Sequence, residues 1–307
     1  MSKIAFIFPG QGAQACGMGQ DFYEHTETGK RIFDKATELM GFSMPQLCFE
    51  ENDRLDITEY TQAAMVTASI AMMRVLEEKG IKPDVAAGLS LGEYCALAAA
   101  GVMSDEDAIR TVRQRGILMQ EAVPVGEGAM AAILALDASA IEEVTGAMEG
   151  VWIANYNCPG QIVISGEKAA VEDACEKLKA AGAKRAVMLN VSGPFHSGML
   201  ADAGEKLGEV LSQVELHEPQ IPYVANVTAQ YVKSAAEVKE LLTRQVSSSV
   251  RWQQSVEAMI ADGVDTFIEI GPGKTLAGFM RKISRDVKTL NVEKLEDISK
   301  VAEALKS

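Results

Sequence analysis

Gly88-Leu89-Ser90-Leu91-Gly92 has the G-x-S-x-G spacing of a nucleophile elbow. Glycines two residues to either side of a serine let the backbone turn sharply from strand to helix. The turn pushes the hydroxyl into the open and leaves the N–H of Leu91 free to hold an oxyanion. The flanks agree. Asp84-Val85-Ala86-Ala87 reads as a short buried strand, and Tyr94–Gly101 as a helix ending in glycine. The competing reading is an ordinary glycine-rich turn with a buried serine.

A serine hydroxyl is a poor nucleophile until a base accepts its proton, and histidine is the usual base near neutral pH. The chain has three histidines. His25 lies in the polar run Tyr23-Glu24-His25-Thr26-Glu27, and His217 just before Pro219; both read as surface residues. His196 sits in the glycine- and proline-bracketed turn Ser192-Gly193-Pro194-Phe195-His196-Ser197-Gly198. That context makes it the candidate base, against the bland reading of a satisfied structural histidine.

Acyl transfer also needs donors aimed at the developing oxyanion. Leu91 N–H is one. The loop Phe8-Pro9-Gly10-Gln11-Gly12-Ala13-Gln14, leaving a first strand, offers more. The same loop loosely fits a dinucleotide fingerprint, but Cys16-Gly17-Met18-Gly19 is a poor start for the helix that fingerprint requires. Gly271-Pro272-Gly273-Lys274-Thr275 resembles a phosphate loop, yet Ile268 stands where a Walker A motif needs glycine. In Val112-Arg113-Gln114-Arg115-Gly116 the two arginines face different ways on one helix. One that points inward requires a carboxylate, from the protein or from a substrate.

These residues must be held by a scaffold, and strand-like runs alternate with helical ones throughout, an α/β pattern with a largely parallel sheet. Lys3–Phe8, Asp84–Ala87 and Thr266–Ile270 are predicted strands of the main sheet. Thr58–Lys79 and Ser104–Ala122 are predicted long helices, the second capped by Ser104. Between them the order changes to strand (Met130–Leu136), helix (Ala138–Met148), strand (Trp152–Tyr156), strand (Gln161–Ser165), helix (Ala169–Ala181), strand (Ala183–Leu189). That is βαββαβ, the ferredoxin-like order. The division expected is a large domain from 1–124 and 193–307 with a small subdomain, 125–192, inserted into it. A cleft between such lobes commonly holds the active site.

With 307 residues, 48% hydrophobic and 23% charged, the composition is that of an ordinary globular protein. A net charge of −14 argues against a nucleic-acid binder. No apolar run approaches 18 residues, so no membrane span is expected. Five scattered cysteines without C-x-x-C argue against a disulfide framework or a zinc site and suit a reducing cytoplasm. Lys184-Arg185 and the cluster Lys274, Arg281, Lys282, Arg285 stand out against the acidic background as places for an anionic ligand or acidic partner.

Phe8-Pro9-Gly10-Gln11-Gly12, Gly88-Leu89-Ser90-Leu91-Gly92-Glu93-Tyr94, Gln114-Arg115-Gly116, Pro194-Phe195-His196-Ser197 and Glu269-Ile270-Gly271-Pro272-Gly273 occur in that order. Over nearly its whole length the chain resembles the malonyl-CoA:acyl carrier protein transacylases of bacterial fatty acid synthesis. The resemblance implies a large α/β-hydrolase-like domain carrying a ferredoxin-like insert. It implies malonyl transfer from malonyl-CoA to the phosphopantetheine thiol of acyl carrier protein, with no metal or redox cofactor. Ser90 matches the acylated nucleophile and His196 the base. Gln11 and Leu91 match the oxyanion-hole N–H positions, and Arg115 the arginine that pairs with the malonyl carboxylate. Gln245 matches a glutamine whose backbone carbonyl orients the histidine. Phe195 resembles the residue of malonyl-selective members. Leu89 departs from the many members with histidine there. Lys184, Arg185, Arg281 and Lys282 are the expected carrier or CoA contacts. Rival readings are a polyketide-pathway acyltransferase, a serine thioesterase or hydrolase, and a catalytically dead carrier-binding scaffold.

Overall fold

The structure, a computed structural model, describes residues 2–306. The first strand, β1 (Ile4–Phe8), is followed by α1 (Gln20–His25), α2 (Glu27–Met40), α3 (Met44–Phe49) and the long α4 (Thr58–Glu78). Next come β2 (Val85–Gly88), α5 (Gly92–Ala99) and α6 (Asp105–Glu121). The chain then builds β3 (Gly128–Leu134), α7 (Ala138–Gly146), β4 (Val151–Cys158), β5 (Gln161–Glu167), α8 (Lys168–Ala180) and β6 (Arg185–Met188). It continues through α9 (Ala201–Leu211), the hairpin β7 (Tyr223–Ala225) and β8 (Gln230–Tyr231), α10 (Ala235–Gln245), α11 (Trp252–Ala261), β9 (Thr266–Ile270), α12 (Thr275–Ile283), β10 (Lys288–Val292) and α13 (Asp297–Ala304).

Two sheets result. The larger has the order β10-β9-β1-β2-β7-β8, parallel except for the last pair. Ile-Ala-Phe-Ile-Phe in β1 is apolar at every position because a parallel strand of this kind is covered on both faces. Phe6 and Phe8 join a core with α4, α5 and α6, whereas Ala5 and Ile7 join Trp252, Val256 and Met280 on the other side. Helix α4 is buried nearly all round, which its lack of a polar stripe requires. Helix α6 starts where Ser104 Oγ accepts the Asp107 N–H, 3.0 Å, with three acidic residues in the first turn.

The smaller sheet, β4-β5-β3-β6, is antiparallel throughout and places the first and third strands of its unit in the centre, the ferredoxin-like arrangement. One face, with Ala131, Ile133 and Ile164, packs on Ile141, Val171 and Leu178 of its own helices. The other face, with Met130 and Val163, joins the core of the large sheet and lines a cleft of about 720 Å³. That cleft lies where the large sheet reverses direction. β2 flanks β1 on one side and β9 on the other, so the loops leaving all three strands gather at one carboxyl-end crevice.

The β2–α5 turn is tighter than the predicted limits. The strand runs to Gly88 and the helix begins at Gly92. Close approach rather than a left-handed backbone explains both glycines. A Cβ on Gly88 would come within 2.0 Å of the Gly92 carbonyl, and one on Gly92 within 2.2 Å of Phe8 O. Gly88→Ala is therefore expected to cost about 2 kcal/mol or more, a fall in Tm of about 4 °C or more by calorimetry. Gly278, inside α12 with open space around it, is the control. Gly278→Ala should instead add about 0.5–1 kcal/mol, since alanine is the better helix former.

Candidate active site

Ser90 occupies the elbow with φ 52°, a left-handed backbone that serine adopts only under constraint. The constraint is Asn226, which follows β7. Its Oδ1 accepts the Ser90 N–H at 2.6 Å, and its Nδ2 donates to Gly88 O at 2.6 Å. One side chain thus clamps both arms of the turn.

Ser90 Oγ and His196 Nε2 are 2.7 Å apart, although 106 residues separate them in sequence. His196 lies in the turn after β6, where the chain leaves the small sheet, also with positive φ (58°). Its Nδ1 is 2.8 Å from the backbone oxygen of Gln245, at the end of α10. A carbonyl oxygen only accepts, so Nδ1 carries the proton and donates. Nε2 is then left to accept from the Ser90 hydroxyl. Burial pushes the imidazole down to about 4, and the Arg115 charge adds to the effect against the opposing pull of the Gln245 carbonyl. The ring is neutral at pH 7. His25 and His217 are exposed and take no part.

Gln11 lines the cleft, and Leu91 caps α5. Among the described residues neither of their backbone N–H groups has a hydrogen-bond partner. The Gln11 side chain is tied down separately, its Nε2 donating to Thr58 Oγ1 at 3.1 Å.

Arg115 and Arg113 divide as their spacing predicts. Arg113 pairs with Glu59 at 2.7 Å. Arg115 is 1% exposed and lines the cleft. Its Nη1 donates to Gln62 Oε1 (2.9 Å), and its Nη2 to Gln245 Oε1 (3.0 Å) and Ser90 Oγ (3.2 Å). All of these acceptors are neutral. Among the described residues no carboxylate forms an ion pair with Arg115, and its Nε has no partner. A buried guanidinium stays protonated even though burial lowers its pKa, so the cleft holds a positive charge that no direct ion pair quenches.

Behind this group lies Glu93, 1% exposed, whose Oε2 accepts Gln245 Nε2 at 2.7 Å and the Asn226 N–H at 3.2 Å. Burial pushes its carboxyl up to about 7, against those two hydrogen bonds and the Arg115 charge. Gln62, Asn226 and Glu93 are the site residues that sequence reasoning missed. Glu93 had a signal, being the lone charge in the apolar helix Gly92–Ala99. Asn226 stands just past the end of a strand at the crevice, but β7 is three residues long and leaves little pattern.

Phe195 is buried and lines the cleft. Lys184, Arg185, Arg281 and Lys282 are exposed, and none of them lines it. The first two lie at the end of β6 away from the cleft-lining residues Leu189–Ser192, and the other two beyond Phe279 on α12. The phosphate-loop likeness after β9 has a different explanation. The buried Glu269 carboxylate accepts the N–H groups of Leu276 (3.0 Å) and Ala277 (2.8 Å), filling the helix end where a phosphate would sit. Among the described residues no group of three or more His, Cys, Asp or Glu side chains is placed to hold a metal ion, and no helix is long and apolar enough to cross a membrane.

Residues 5–300 match the model of the acyl transferase domain family. Over 311 aligned residues the chain is 50% identical to the malonyl CoA-acyl carrier protein transacylase of Bacillus subtilis, covering 100% of this chain and 98% of that protein. The crystal structure of malonyl CoA-acyl carrier protein transacylase from Clostridium perfringens superposes with a TM-score of 0.96 at 42% identity, covering 99% of this chain and 98% of that one. A malonyl-transacylase solved in complex with its type II PKS acyl-carrier protein superposes at 0.95 with 40% identity, covering 99% of this chain and 100% of that one. By sequence and by architecture the chain belongs to the acyl transferase domain family, among its malonyl CoA-acyl carrier protein transacylases.

Proposed function

We propose that this protein moves a malonyl group from malonyl-CoA to the phosphopantetheine thiol of acyl carrier protein, supplying fatty acid synthesis through a malonyl-Ser90 intermediate. The carrying observation is the 2.7 Å contact between Ser90 Oγ and His196 Nε2 beside an Arg115 with no direct counter-ion. His196 Nε2 takes the serine proton as Oγ attacks the thioester carbonyl. The tetrahedral oxyanion sits against the Gln11 and Leu91 N–H groups. Collapse expels the CoA thiolate, which takes the proton from His196. The carrier thiol then runs the same steps in reverse and restores the hydroxyl. The Gln245 carbonyl does the work an acid does in a triad, holding the imidazole tautomer.

Arg115 accepts the malonyl carboxylate, and that preference is the reason for its neutral partners. An arginine already paired with a protein carboxylate offers a second anion little. Phe195 bounds the acyl pocket. Residues 125–192 act as a subdomain that walls one side of the cleft, with 1–124 and 193–307 carrying the reacting groups. Lys184, Arg185, Arg281 and Lys282 lie off the cleft, so their role is the docking of an acidic carrier rather than contact with the acyl group. A second reading, transfer to a polyketide carrier, draws support from the neighbour solved with such a carrier. It differs only in the acceptor, which rates with the two carriers distinguish.

Intact-mass spectrometry after mixing with malonyl-CoA should give a malonyl adduct that maps to Ser90 and is absent from Ser90→Ala. Arg115→Ala should lower kcat/KM for malonyl-CoA by about 10²-fold or more while changing acetyl-CoA acylation far less; equal losses would remove the carboxylate role. Charge reversal at Lys184-Arg185 and Arg281-Lys282 should raise KM for the carrier and leave that for malonyl-CoA unchanged. For His196, the folded value near 4 lies below the ordinary value of about 6.5. Its neutral form therefore contributes stability above about 6.5, lost as pH falls through 4. An NMR titration should find the His196 ring neutral from pH 8 to 5.5, and a midpoint near 6.5 would contradict the assignment.

A further inference from the structure

Arg115 is a buried cation whose direct partners are all uncharged, while Glu93 is a buried carboxyl with no cation in contact. The two are joined through one side chain. Gln245 Oε1 accepts from Arg115 Nη2 at 3.0 Å, and Gln245 Nε2 donates to Glu93 Oε2 at 2.7 Å. The amide is pinned in that sense, because its Nε2 also donates to Ser90 O at 3.0 Å. Turning it over would set Oε1 against two acceptors and Nε2 against a donor.

From this geometry we propose that Glu93 is the counter-charge of Arg115, held at one amide's remove by Gln245, and that it tempers the grip of the guanidinium on the substrate carboxylate. It is a positioning residue and touches no reacting atom. Separation by one amide leaves the guanidinium its hydrogen-bonding edge, which a direct ion pair would occupy. The carboxylate still balances the buried charge while the site is empty. Once a malonyl carboxylate arrives, the buried group holds two negative charges for one positive, and the like-charge repulsion helps the finished malonyl thioester leave. The titratable groups facing Glu93 are Arg115, Tyr94 and Tyr223, with His196 across Gln245. Burial drives both tyrosines above their ordinary values and His196 to about 4. Of these groups only Glu93 changes charge between pH 6 and 8.

This inference rests on the proposed role of Arg115, and the test separates the two. At pH 8, Glu93→Gln should lower KM for malonyl-CoA by about three- to tenfold and leave KM for acetyl-CoA within about twofold. It should also slow malonyl turnover at saturation as release tightens. A gain of affinity confined to the carboxylated donor does not arise from a loosened site. An unchanged or raised KM for malonyl-CoA, or the same shift with both donors, would overturn the proposal. Should the variant not fold, the unaltered enzyme decides it. Its KM for malonyl-CoA should rise several-fold between pH 6 and 8 relative to acetyl-CoA, and a flat ratio would refute it. Equal losses of both donors in Arg115→Ala would instead sink the underlying reading, whatever Glu93→Gln does.

Discussion

The hydrogen bond from His196 Nδ1–H to the Gln245 carbonyl is the contact on which the site depends. It fixes which imidazole nitrogen is free, and so whether the Ser90 proton has anywhere to go. A main-chain acceptor cannot take up a proton or rotate away. The same residue sends its side chain forward to Arg115 and back to Glu93 and Ser90 O. The imidazole of His196, the guanidinium of Arg115 and the elbow backbone are therefore coupled through one glutamine on α10. Changes at Gln245 cannot be assigned to a single step, because main chain and side chain serve different partners.

The fold makes this convergence possible through topology. Reversal of strand order at β1 brings three loops to one edge of the large sheet. The small sheet is not merely an appendage, since it has apolar residues on both faces. One face closes its own core, and Met130 and Val163 on the other wall the cleft. The turn that leaves this sheet delivers His196 to Ser90. Burial in this low-dielectric setting explains why the imidazole is neutral, and why the guanidinium, with no direct ion pair, keeps its electrostatic reach.

Much of this was legible in the sequence, for physical reasons. The elbow is local. G-x-S-x-G, flanked by an apolar strand and helix, needs no tertiary information, and the same holds for the βαββαβ order of the insert. His196 emerged because only three histidines compete, and His25 in a polar run and His217 just before Pro219 both read as surface residues. Residues two positions apart on a helix face apart by roughly 200°, so the spacing says that Arg113 and Arg115 differ, and only the family resemblance picks out Arg115. Gln62 and Asn226 were not legible, and Glu93 only as a lone charge in an apolar helix, since their roles exist only once distant segments meet. The flanking glycines serve close contact, as the tight turn requires, and the left-handed residue is Ser90 itself, which the pattern does not reveal. Local pattern identifies a tight turn without saying which residue bears the distortion.

Both members of the Ser90–His196 pair hold a backbone conformation that costs roughly 1–3 kcal/mol for a residue with a side chain. The surrounding hydrogen bonds offset that cost whether or not substrate is present. Thermal robustness and turnover are thus drawn from overlapping residues. Engineering for heat tolerance has freedom on the outer helices, but any relaxation of these two torsions would release energy by letting the hydroxyl and the imidazole swing out of line.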